Sequence, residues 1–209
     1  MKKLMLVIIP IAVAMISAVV LITQPLLLGD GLVKNESKYI NYNQILKQKL
    51  ADNQIQMSSP IKLSKSDDIG KYCSFFKSEE KQKLVQYCTS TELKDQSGVF
   101  LGNIHMVGTR EEPKIILALI QTDKSERQLG LVKTVFATIS DNTVCDCWSD
   151  KKPGGLTDIG QWVDGIYQFH HGGSKPHSKS EPVSLDGKSM DLEITTNDDG
   201  YLWQLFVYS

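Results

Sequence analysis

The 209-residue chain is short of several things at once. Its four cysteines are too few for a disulfide-stapled miniprotein, and it has neither a collagen-like glycine period nor a low-complexity tract. Arginine is nearly missing: the 23 basic residues include only Arg110 and Arg127, so a surface reading phosphates bidentately is not expected. A charge excess is missing too. With 24 acidic residues the formal net charge is −1, which removes the simplest electrostatic case for a nucleic-acid partner.

Catalytic signatures are also lacking. There is no G-x-S-x-G, H-E-x-x-H, phosphate-cradling G-x-x-x-x-G-K-[ST], dinucleotide glycine fingerprint or C-x-x-C-H. Ser59 with Lys62, and Ser74 with Lys77, match S-x-x-K without the accompanying motifs, as a lysine-rich chain does by chance. At 41% hydrophobic residues the chain is too apolar to be disordered and long enough for one domain plus some extra chain.

What is present begins at residue 4. Lys2 and Lys3 precede an uncharged run over residues 4–22, interrupted only by Pro10 and Ser17. As a helix this run would rise about 28 Å, close to the hydrocarbon thickness of a bilayer. It exceeds the apolar region of an ordinary signal peptide, and Ser17-Ala18 is a poor cleavage site buried within it. Residues 1–29 are therefore expected to be an uncleaved signal anchor, with a cleaved signal peptide as the alternative. The positive-inside rule puts the lysines in the cytoplasm and the remainder outside it, membrane-anchored or secreted.

Residues 30–65 are polar and read as a stalk or linker carrying one short amphipathic helix, with Tyr39, Ile40, Ile45, Leu46 and Leu50 at helical spacing. Asn35-Glu36-Ser37 is an N-glycosylation sequon. The extracytoplasmic domain is expected over 66–209, starting with a helical pair. Ser66-Asp67-Asp68 opens the first helix, ahead of Ile69, Tyr72, Cys73 and Phe76. Ser78-Glu79-Glu80 opens the second, with Leu84, Val85, Tyr87 and Cys88 on its inner face.

Strands follow over 99–107, 115–120 and 131–139, the second apolar without alternation and so covered on both faces. A helix is expected over 157–171 and a polar loop over 172–187. Two further strands flank the Asn197-Asp198-Asp199-Gly200 turn. The order after the helical pair is β-β-β-α-β-β. Short connections imply an α+β fold, a mainly antiparallel sheet with helices packed on it.

The most unusual local feature is Cys145-Asp146-Cys147-Trp148. Outside the cytoplasm the four cysteines are expected to be oxidised, and of three pairings Cys73–Cys88 with Cys145–Cys147 is favoured slightly over the crossed ones. The competing reading is a copper or zinc site at the cell surface, with Cys145 and Cys147 as thiolates and His170 or His171 as imidazole ligand, although the spacing is not a standard one. His105, in mid-strand, reads as structural, and His177, in a polar loop, as solvated.

The functional expectation is a non-catalytic binding module with a protein or small-molecule ligand, tethered to the membrane by its N-terminal helix and needing no cofactor. Metal handling and a secreted hydrolase of unrecognised type are the alternatives.

Overall fold

The computed structural model describes residues 38–76 and 79–209. The expected membrane anchor and the Asn35 sequon lie outside the described residues. Among the described residues no helix is long and apolar enough to cross a membrane.

In chain order the elements are α1 (Lys38–Asp52), β1 (Gln56–Met57), β2 (Ile61–Leu63), α2 (Ser66–Tyr72), α3 (Glu79–Lys83), β3 (Tyr87–Lys94), β4 (Phe100–Gly108) and β5 (Pro113–Thr122). After them come α4 (Leu129–Thr143), α5 (Trp148–Lys151), α6 (Ile159–His171), β6 (His177–Lys179), β7 (Val183–Leu185), β8 (Lys188–Asn197) and β9 (Gly200–Tyr208). The strands form one antiparallel sheet in the order β1-β3-β4-β5-β9-β8-β6, with β2 also on β3 and β7 also on β8. The fold is α+β, as the sequence implies.

Four stretches differ from expectation, each for a physical reason. Residues 131–139 are not a strand but the middle of helix α4. Their β-branched residues suggest extension, yet Val132, Val135, Phe136 and Ile139 recur at the 3.6 period and all are buried. Thr134, Thr138 and Thr143 donate their hydroxyls to carbonyls one turn back, so these hydroxyls find acceptors within the helix itself.

The second member of the helical pair stops at Lys83, and Tyr87 and Cys88 already belong to β3. From there Thr89, Thr91 and Leu93 alternate inward, the period of a strand. The expected loop 172–187 holds two short strands, β6 and β7, both paired with β8.

Helix α1 lies in the segment read as a linker, but Tyr39, Leu46 and Leu50 are buried in the main core. The Tyr39 hydroxyl donates to the carbonyls of Thr109 and Glu112, at 2.8 and 3.1 Å, tying the helix to the β4–β5 turn. Described residues from Lys38 onward thus share a single compact unit, Glu36–Ser209.

The sheet has two unequal faces. On one, α1, α4 and α6 contribute with the inward residues of the strands to the main core, which includes Ile104, Ile120, Phe136, Val163, Met190 and Trp203. On the other, Ile69 of α2 meets Cys88 and Val107 in a small second core, sealed by Leu63, Phe75, Phe76 and Val85. That second layer lies over the β3–β4 side of the sheet.

Candidate functional site

The four cysteines form two disulfides, Cys73–Cys88 and Cys145–Cys147, with Cα–Cα distances of 6.6 and 5.2 Å. They sit in different surroundings. Cys73 and Cys88 are both fully buried in the second core. Cys145 and Cys147 are half-buried, with the exposed Asp146 between them, just beyond the end of α4. Trp148, which opens α5, packs beneath at 5.9 Å from Trp162 of α6, its indole N–H buried with no acceptor. Asp141, one turn before Cys145, has its carboxyl pushed up to about 6, first by desolvation and then by the Asp146 charge.

The expected metal ligands are not brought together. Cys145 and Cys147 are bonded to each other, and both nitrogens of His170 are occupied. Its Nδ1 shares a hydrogen bond with the Ser178 hydroxyl at 2.8 Å, and its Nε2 one with the Thr196 hydroxyl at 2.7 Å. Burial, with the neighbouring His177 and His171, holds this imidazole below its ordinary pKa. His171 is exposed and stacks on Tyr167. Among the described residues no group of three or more His, Cys, Asp or Glu side chains is placed to hold a metal ion.

Around His170 the end of α6 carries two shallow hollows of about 320 and 490 Å³, sharing Gly173, Ser174 and Lys175. Both are wide open to solvent. Drug-sized ligand sites are concave and bury most of their ligand, which these hollows are not shaped to do.

The other feature is the part of the sheet's second face that the small core leaves uncovered. Cross-strand register places Leu117 beside Phe206 and Asp191, Leu119 beside Gln204 and Glu193, and Ile115 beside Tyr208. Leu117 is sealed by its neighbours, whereas Ile115, Leu119, Leu202, Phe206 and Tyr208 are half-buried. None of these side chains belongs to either hydrophobic core.

Along one side runs a charged border. Lys179 donates to Asp191 at 2.7 Å and pairs with Glu193 at 3.2 Å. The Tyr208 hydroxyl reaches Asp191 at 3.3 Å, and its pKa is pushed up to about 12, first by burial and then by that carboxylate. On the opposite side His105, directly across from Leu117, lies under Phe75 with its ring centre 4.8 Å away. The face thus has an apolar centre, with Lys179, Asp191 and Glu193 along one border.

No residue of this surface is among the candidates named from sequence, yet a signal for it exists. β9 carries Trp203, Leu205 and Val207 on one face and Leu202, Phe206 and Tyr208 on the other, and β5 is apolar without a break from Ile115 to Ile120. Such strands call for cover on both faces. Compared with known proteins, the chain matches no family model, no curated protein and no solved structure.

Proposed function

We propose that the chain is a membrane-tethered, extracytoplasmic binding domain that acts without catalysis, and that its partner is a polypeptide seated on the β5-β9-β8 face. The observation that supports this is a mismatch. β5 and β9 have the composition of strands covered twice, but the side chains on their second face join neither core. The partner this chemistry fits has an apolar centre and polar groups answering Lys179, Glu193 and Gln204. The tether rests on the apolar run over residues 4–22 with its preceding lysines.

The histidine chemistry lends itself less to turnover. His170 is held on both sides by hydroxyls, from Ser178 and Thr196, and a nucleophile–base pair gains from a carboxylate that orients the base. Metal handling would require opening the Cys145–Cys147 bond and moving His170 off its two partners.

A photo-crosslinking amino acid placed at 119 or 202 of the full chain in its native cells tests the face. The expected result is a discrete adduct at both positions and none at 47 or 168, which are exposed on α1 and α6. Leu119→Glu, checked for an unchanged thermal midpoint, should weaken the adduct at 202. Equal labelling at all four positions, or none at any, overturns the reading. External protease acting on intact cells should degrade the domain if the orientation is right.

A further inference from the structure

We infer that Cys145–Cys147 is a thiol–disulfide exchange site that accepts electrons from the dithiol of a protein partner, whereas Cys73–Cys88 is purely structural. The inference is independent of the sheet face and rests on the contrast between the two bonds. Exchange needs a thiolate to reach a disulfide sulfur, so access decides which bond reacts. Cys73 and Cys88 are 0% exposed and sealed by Ile69, Val107, Phe75 and Phe76. Nothing reaches them without opening the second core.

Cys145 and Cys147 are half-buried on a bend between two helices, flanked by exposed Asp146 and Ser149. Only one residue separates them, so the bond closes almost no chain and restricts the unfolded state little. A cross-link that contributes little to stability, between two residues that pack only at the margin of the main core, is poorly suited to a structural role. Opening it displaces no long segment either, because α4 and α5 are each anchored in the main core, by Phe136 and Ile139 and by Trp148.

The exchange balances without a further reagent. A thiolate of the partner dithiol attacks one of the two sulfurs; the Cys145–Cys147 bond breaks, a mixed disulfide forms, and the other sulfur leaves as a thiolate that takes a proton from water. The partner's second thiolate then attacks its own sulfur in the mixed disulfide. This forms the partner's disulfide and releases the second cysteine of this chain, which is protonated in turn. Two electrons and two protons pass from the partner's dithiol to Cys145 and Cys147. A more oxidising protein disulfide reverses the reaction and restores the site.

The test uses the full chain in detergent micelles. After equilibration in dithiothreitol of graded redox ratio, free thiols are trapped with a maleimide and located by peptide mass spectrometry. Cys145 and Cys147 are expected to open at ratios that leave Cys73 and Cys88 closed and the β-sheet circular dichroism unchanged. The fluorescence of neighbouring Trp148 should shift over the same range. A synthetic dithiol peptide should then be oxidised by the protein at least about tenfold faster than by the Cys145→Ser, Cys147→Ser variant. The inference is overturned if the bond survives until the fold is lost, if both disulfides open together, or if peptide oxidation matches the serine variant.

Discussion

His105 is the side chain whose chemistry and surroundings agree least. It is 9% exposed, its Nδ1 has no partner, and desolvation lowers its pKa from 6.5 to about 4. The folded state therefore refuses a proton that the unfolded chain accepts anywhere between those two values. The stability this group permits is complete above pH 6.5 and falls as pH drops towards 4, by at most about 3 kcal/mol. Urea unfolding at pH 7 and pH 4.5 should show the loss. His105→Leu should flatten the difference while holding or slightly raising stability at pH 7, since it removes a buried nitrogen without an acceptor or donor. A slope unchanged in the variant would assign the pH dependence elsewhere.

At the scale of elements, the two disulfides should separate cleanly in a stability measurement. Cys73–Cys88, with a sequence separation of 15, fastens the end of α2 to the start of β3, and its removal as Cys73→Ala, Cys88→Ala should cost about 3 kcal/mol. Removing Cys145–Cys147 should cost about half as much or less, because its loop is so short. Thermal midpoints of the two double variants, compared at one pH, decide the order.

A second element-level constraint is the β8–β9 turn, where Asn197 pairs with Gly200. Gly200 has φ 139°, and a Cβ there would run into the Thr122 carbonyl and the backbone of Asp123. Gly200→Ala should destabilise by more than about 2 kcal/mol, a cost an ordinary turn glycine would not show. Thermal unfolding against the wild type measures it.

What was legible from sequence follows the same lines. The β8–β9 hairpin stood out because Met190, Leu192 and Ile194 alternate with charged residues around an unmistakable turn. The α+β class was legible as well, since helical and alternating periods are both plain. Helix α4 was not, because valine and threonine fit either structure and only packing of Val132, Val135, Phe136 and Ile139 decides for a helix. The half-covered sheet could not be read either. An apolar strand announces that it needs cover but not which element supplies it.

For the molecule as a whole, the boundary of the folded unit lies further upstream than composition suggests. Tyr39, Leu46 and Leu50 are buried although the segment around them is polar, since a helix needs only one apolar stripe to become part of a core. A chain beginning at residue 36 should therefore unfold cooperatively, while one beginning at 53 should lose its sharp transition and expose apolar surface. Calorimetry on the two fragments distinguishes a true linker, for which both would behave alike.

The position of β9 has a consequence for how the molecule is held together. It lies between β5 and β8, so it joins the β3-β4-β5 meander to the β8 hairpin, yet it follows every other strand in the chain. Among the described strands, the two parts of the sheet are joined through residues 200–208. A change that weakens β9 therefore acts on both parts of the sheet at once, because each has β9 as its neighbour.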